Sequence, residues 1–239
     1  MEQVGKVYLI PTVLSPEGLH TIPPYVTAAA QKISVFFVEN ERTARRYLKA
    51  LDRSINIDSL QILLMQGGGA TGVSDTELAK KFLLEGKDIG VMSEAGCPAI
   101  ADPGHRIVLA AHSVDAPIIP MVGPNSMLMA LIASGMNGQN FQFVGYLPVK
   151  PGERIKAIKE LELESIKKHQ TEMFIETPYR NNHLLRDLLA SCKDTTLVCV
   201  AADITAPEEY IKTKTVKEWK KQELPELHKR PAIFLLLAQ

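Results

Sequence analysis

The chain has 239 residues, with 27 Lys and Arg against 27 Asp and Glu, 46% hydrophobic and 23% charged, and a formal net charge of zero. That balance excludes the high-charge signature of a disordered chain, a collagen-like repeat and a disulfide scaffold, and leaves room for one large or two smaller globular domains. No stretch approaches the roughly 18 uninterrupted apolar residues of a membrane span, so the sequence predicts a cytosolic chain without membrane contact; Cys97, Cys192 and Cys199, which lack CxxC spacing, predict neither a disulfide framework nor a structural zinc.

Short β-branched apolar runs alternate with amphipathic segments, the pattern of crossover units on a parallel sheet. In the first half, strands are predicted at 6–10, 34–38, 60–65, 88–92 and 117–122. Helices fall between them at 25–32, 43–51, 76–85 and 104–112, with one more at 126–134. Five strands with intervening helices make a complete doubly wound domain. After residues 135–138 the pattern restarts: strands at 141–144, 171–175, 195–201 and 232–237, a charged strand or hairpin near 210–215, and helices at 153–167 and 181–189. The expectation is two α/β domains, 1–140 and 141–239, with turn residues 147–152 as the linker region.

Ligands of open parallel sheets sit beyond the carboxyl ends of strands, where loops lead into helix N-termini. Four segments qualify here. Residues 93–104, SEAGCPAIADPG, combine two Gly, two Pro and two carboxylates. Such a loop is stiff and closely approachable, suited to holding a small ligand by main-chain groups. Asp102 before Pro103 also reads as an N-cap followed by Pro at the first helical position. Residues 67–72, GGGATG, satisfy GxGxxG literally, with Asp88 downstream, but follow the third strand and lack a tightly packed helix; a flexible glycine loop is the ordinary account. Gly123 and Pro124 shape a turn into the helix at 126, where Asn125 or Ser126 can cap.

The fourth segment is basic. Arg42, Arg46, Lys49 and Arg53 step by four, three and four along one helical face, with Arg45 beside them and Ala44, Leu48 and Leu51 opposite. A solvated face explains such a run, and an anion or nucleic-acid footprint is the alternative. No HExxH or GxSxG signature is present, the six histidines lack metal spacing, and no metal site is predicted. Tyr179 and Arg180, following Glu176, form a strand-to-helix turn without a role of its own.

Taken in order, these segments resemble the tetrapyrrole (corrin/porphyrin) methylase superfamily of S-adenosylmethionine-dependent methyltransferases, and within it the small-subunit ribosomal RNA ribose-2′-O-methyltransferase branch. The resemblance covers nearly the whole chain: VYLIPT at 7–12, ENERTAR at 39–45, SEAGCP at 93–98 with DPG at 102–104, PMVGPNS at 120–126, FVGYLP at 143–148 with Arg154, and FIETPYR at 174–180. Three stretches depart from that branch: VLSPE at 13–17 stands where it has a Gly-Asn turn, QGGG at 66–69 replaces a His- and Asn-containing stretch, and ADITA at 202–206 replaces Arg-Glu-Leu-Thr-Lys.

The resemblance implies two α/β/α domains, a mostly parallel five-stranded sheet followed by a mixed one, with the cofactor cleft between them, and a homodimer. It implies S-adenosylmethionine contacts at Pro11, Glu94, Ala95, Gly96, Pro98, Ile100, Asp102, Ser126, Tyr146 and Leu147. Methyl transfer to a ribose hydroxyl needs positioning, desolvation and a proton acceptor. Glu39, Glu41 and Glu94 are candidates by their place at strand ends, and equally read as helix-start carboxylates. Arg42, Arg46 and Lys49 would grip the phosphates of RNA. The alternatives are a methylase of another or a small-molecule substrate, a non-catalytic S-adenosylmethionine-binding protein, and a dinucleotide oxidoreductase using residues 67–72.

Overall fold

A computed structural model describes residues 4–65 and 74–238. They form two compact units, Met1–Asn125 and Ser126–Gln239.

The first unit is built on five parallel strands, β1 (Val7–Leu9), β2 (Val35–Val38), β3 (Gln61–Leu64), β4 (Ile89–Met92) and β5 (Ile118–Pro120), in the order β3-β2-β4-β1-β5. All four residues of β2 and of β4 are buried, as expected for central strands covered on both faces. On one face, Val26 of α1 (Pro24–Ala30) and Ala44, Tyr47 and Leu48 of α2 (Glu41–Leu51) pack with Phe36 and Val38. On the other, Ala79, Phe82 and Leu83 of α3 (Asp75–Leu84) and Ile107 and Ala111 of α4 (Gly104–His112) pack with Val35 and Phe37. Gly90 leaves room for the Phe36 ring beside β4: a Cβ there would sit 2.7 Å from its Cδ1. Asp88 accepts the Lys6 N–H at 2.8 Å, pinning the start of β1 beside β4, so this carboxylate has a structural task. β1 and β4 are neighbours whose crossovers leave to opposite sides, towards β2 and β5. Their carboxyl ends therefore mark the switch point at which open sheets bind ligands.

The second unit carries a mixed sheet, β6 (Phe141–Tyr146), β7 (Thr171–Ile175), β8 (Leu197–Ala202), β9 (Tyr210–Thr215) and β10 (Ala232–Leu237), in the order β6-β7-β10-β8-β9. β6 and β7 are parallel, and β10 and β9 enter antiparallel. Helices α5 (Ser126–Ser134), α6 (Pro151–Lys168), α7 (Asn181–Ser191) and the short α8 (Val216–Trp219) complete it. Phe174 and Phe234 stack at 6.2 Å between centroids, and buried Trp219 donates its indole N–H to the Val198 carbonyl at 2.9 Å.

Two sequence expectations change here. The units divide between Asn125 and Ser126, ahead of position 140, because α5 packs against β9 and β10 and the Thr213 hydroxyl donates to the Ser134 carbonyl. Residues 147–152 are not a linker between units. They join β6 to α6, fastened by Arg154, which donates to the Val149 carbonyl at 2.8 Å and pairs with Asp187 at 2.6 Å.

Candidate active site

At the carboxyl ends of β1 and β4 the two following loops are tied together by main-chain bonds. The Thr12 N–H donates to the Gly96 carbonyl at 2.9 Å and the Gly96 N–H returns to the Thr12 carbonyl at 3.2 Å. The Thr12 hydroxyl donates to the Ser93 carbonyl, and the Tyr47 hydroxyl reaches from α2 to the Pro11 carbonyl at 2.6 Å. Burial pushes the Tyr47 phenol pKa up, so it stays a donor. From the other side, the Cys97 thiol donates to the Gly123 and Pro124 carbonyls. The cofactor residues proposed for this unit, Pro11, Glu94, Ala95, Gly96, Pro98, Ile100 and Asp102, thus belong to one loop cluster.

That cluster has an unusual backbone. Gly96, Ala99 and Ala101 have φ of +79°, +69° and +61°. Left-handed alanines cost about 1–3 kcal/mol each and persist where the surroundings dictate them. Here Asp102 dictates: its carboxylate accepts the Ile100 N–H at 3.2 Å and the Gly104 N–H at 2.7 Å. Pro103, not Asp102, occupies the N-cap of α4, and Gly104 begins the helix. Asp102 stands one residue further out because its side chain must reach both ways, into the loop and onto the helix. The N–H groups of Ala95, Ala99 and Ala101 donate to no other described residue. Uncommitted N–H donors in a rigid, left-handed loop suit the carboxylate or hydroxyl oxygens of a small ligand.

Glu39 and Asn40 follow β2. The Asn40 side chain accepts from the Arg42 and Thr43 N–H groups and so starts α2 two residues earlier than read from the sequence. Glu39 is half-buried and accepts the Glu94 N–H at 2.8 Å, while the Thr43 hydroxyl donates to the Glu94 carboxylate. Burial is the main cause raising the Glu39 pKa; the Glu94 N–H opposes it, and the charges of Asp102 and Glu94 add to it. Glu94 itself is exposed, and Glu41 pairs with Arg45 on the helix surface at 3.6 Å. Of the three carboxylates, Glu39 has the environment of a proton acceptor.

Arg42, Arg46 and Lys49 lie exposed on α2. Arg53 falls off that face: α2 ends at Leu51, Asp52 turns the chain with φ −155°, and Arg53 serves through its carbonyl, which accepts the Lys49 ammonium at 2.9 Å. Arg42 and Arg46 make no ion pair among the described residues. Between α2 and the β1 and β4 loops lies a cavity of about 420 Å³, bordered by Thr12, Leu14, Glu39, Arg46, Tyr47 and Glu94 among others. The parts of Tyr47 and Thr43 were missed from the sequence; the only signal was a tyrosine and a threonine on the flanks of a basic helix.

In the second unit Ser126 begins α5, Tyr146 ends β6 and Leu147 follows it. Tyr146 is exposed, whereas the Leu147 side chain is buried in the core, so only its main chain is available to a ligand. Glu176 accepts from Arg180 and from the Thr177 N–H, both at 2.6 Å; burial raises its pKa, but these bonds outweigh it and the net shift is downward. Residues 66–73, with the GxGxxG match and the 66–69 stretch, lie outside the described residues. Among the described residues there is no group of three or more His, Cys, Asp or Glu placed to hold a metal ion, and no helix is long and apolar enough to cross a membrane.

Comparison with known proteins gives the chain's relatives and its family. A protein named ribosomal RNA small subunit methyltransferase I from Streptococcus pyogenes serotype M3 is 32% identical over 209 residues, covering 86% of this chain and 67% of that protein. Proteins of the same name from Micromonospora olivasterospora and Buchnera aphidicola are 31% and 25% identical, covering 86% and 99% of this chain and 61% and 79% of theirs. The chain thus spans about two thirds of the length of the first of these relatives and somewhat less of the second. Among solved structures, the methyltransferase CobJ aligns over 98% of this chain and 94% of its own, with a TM-score of 0.61 at 17% identity. Uroporphyrin-III-C-methyltransferase from Thermus thermophilus covers 98% and 92%, with a TM-score of 0.52 at 16% identity; at these identities the likeness is one of fold. The sequence profile of the tetrapyrrole (corrin/porphyrin) methylases matches residues 24–220, and to that family of methyltransferases the chain belongs.

Proposed function

We propose that this protein is an S-adenosylmethionine-dependent methyltransferase of small-subunit ribosomal RNA, acting in the cytoplasm on a ribose 2′-hydroxyl. The observation that carries the reading is the β4–α4 loop, whose left-handed backbone is set by Asp102 and whose N–H groups at Ala95, Ala99 and Ala101 stay uncommitted. These residues fit S-adenosylmethionine, which offers carboxylate and hydroxyl oxygens to such donors and, when bound, supplies a methyl group on a sulfonium that departs as a neutral thioether. Pro11, Glu94, Gly96, Pro98 and Ile100 shape the site on the first unit. Glu39 takes the proton from the acceptor hydroxyl; its raised pKa moves it towards the working pH, where a base is most effective. Arg42, Arg46 and Lys49 hold RNA phosphates by charge.

The protein acts as a homodimer. Leu128 and Ile132, one turn apart on α5, are 47% and 82% exposed, an apolar stripe suited to a second copy. Sedimentation of wild type and Ile132→Glu tests this: a wild-type monomer rejects it.

Mass mapping of small-subunit ribosomal RNA from a strain lacking this protein tests the activity. One ribose methyl group should be missing and should return with wild type but not with Asp102→Ala. An unchanged map, or calorimetry showing no S-adenosylmethionine binding, rejects the reading; tight NAD binding in its place would favour an oxidoreductase.

A further inference from the structure

The cavity beside α2 adjoins the proposed methyl-donor loop, with Glu94 and Ala95 in its wall, and runs from there along α2. Its walls are mostly apolar, from Val13 and Leu14 of the first loop to Tyr47 and Ala50 of α2 and Met92. Its polar end is Glu39, one oxygen of which accepts the Glu94 N–H while the other makes no hydrogen bond to a described residue. Arg46 borders the cavity, and Arg42 lies one helical turn before it, in the first turn of α2.

We propose that this pocket receives a single ribonucleoside of the RNA acceptor, turned out of its stack, with its sugar towards Glu39 and its flanking phosphates at Arg46 and Arg42. The proposal rests on the reading of the chain as an RNA methyltransferase and adds where the acceptor sits. Three features select such a ligand. At about 420 Å³ the cavity lies within the range of ligand sites, roughly 300–1,000 Å³, with room for one base and its sugar. Apolar walls with the Tyr47 ring give a flat base something to stack against, and a base unstacked from single-stranded RNA is the usual target of such pockets. A carboxylate within and arginines at the mouth sort charge: the neutral nucleoside enters and the phosphates stay outside.

The test is methyl transfer to small-subunit ribosomal RNA from a strain lacking this protein, with wild type, Ala50→Trp, which fills the cavity from the α2 wall, and Arg46→Glu, an exposed change that leaves the core intact. Ala50→Trp should raise KM for RNA by about tenfold or more while S-adenosylmethionine affinity by calorimetry stays within about twofold. Arg46→Glu should raise KM and lower the salt slope of RNA binding by about one. If wild type transfers methyl groups to RNA and neither variant changes KM, the pocket is not the acceptor site. If Ala50→Trp weakens S-adenosylmethionine binding as strongly as RNA, the pocket holds the donor instead. No transfer to RNA by wild type overturns the RNA reading itself, and the ribonucleoside with it.

Discussion

The two units bury polarity in different proportions. In the first, buried Thr12, Ser93 and Asn125 gather in the loops beyond the strand ends, where they hold one backbone against another, and a single charge, Asp75, is buried against Arg106. In the second, whole charges are buried: Arg154, Glu162, Glu172 and Glu176. A parallel sheet delivers all its strand ends to one edge and can build a site from main chain alone. A mixed sheet sends neighbouring strands both ways, and its irregular connections need side-chain fasteners. The Glu162 carboxylate, for instance, accepts the Lys193 N–H at 2.7 Å and the Thr196 hydroxyl. The division is between an edge organised for binding and a core organised for staying shut.

The largest expected effect tests the fasteners. Arg154→Ala leaves Asp187 without its partner and the 148–149 carbonyls without their donor. Removing one member of a buried pair costs about 3–5 kcal/mol. Trp219, the chain's single tryptophan, lies in the second unit, so its fluorescence in urea reports that unit alone. A midpoint shift by that probe, with hydrogen exchange of β2 and β4 unchanged, is the outcome expected. A shift in both would show that the units do not respond separately.

Glu172 is the exception among the buried charges, since neither carboxylate oxygen has a hydrogen-bond partner among the described residues. Burial pushes its pKa up to about 7; Lys168 opposes this and Glu164 adds to it. The folded carboxyl keeps its proton to about pH 7, whereas the unfolded one releases it near pH 4.3. Between these values the folded state binds more protons, so stability falls as pH rises and levels off above about 7. The loss is on the order of 3 kcal/mol. Glu172→Gln should flatten the Trp219-detected profile between pH 5 and 8, and an equally steep profile in the variant would place the titrating group elsewhere.

In the first unit the matching test is steric. Gly90→Ala drives a Cβ against the Phe36 ring and should cost about 1–3 kcal/mol. It should be seen in hydrogen exchange of β2 and β4 and not in Trp219 fluorescence.

How much of this was legible in the sequence follows from the range of the forces. Periodicity is local, so the strands and helices fell within a few residues of their places, and α4, α5, β7, β9 and β10 stood at their bounds. The loop at 93–104 was legible because Gly, Pro and Asp carry their conformational meaning with them. What stayed hidden joins residues far apart: Tyr47 to Pro11 across 36 positions, Arg154 to Asp187 across 33. Nothing in the neighbourhood of a tyrosine says which carbonyl its hydroxyl will find. Arg53 was misplaced because stepping by four carries the basic face past the helix end at 51, where Asp52 accepts the Ser54 N–H at 2.6 Å and turns the chain.

The smallest effect bears most directly on the binding edge. If the β4–α4 loop holds S-adenosylmethionine by main-chain groups, Asp102 never needs to touch it and acts only by setting the backbone at Ala99 and Ala101. Asparagine keeps one acceptor oxygen for the Gly104 N–H but turns an amide towards Ile100, so one of the two loop bonds is lost. The expected loss is about 1 kcal/mol of cofactor affinity, roughly fivefold, with global stability nearly unchanged because the site is solvent-facing. A direct contact predicts otherwise: replacing a carboxylate bonded to a ligand hydroxyl or ammonium costs about 1.5–3 kcal/mol, more than about tenfold in affinity. Calorimetric titration of wild type and Asp102→Asn with S-adenosylmethionine separates the two: a loss near fivefold is that of a positioning residue, and a loss well beyond tenfold is that of a direct contact.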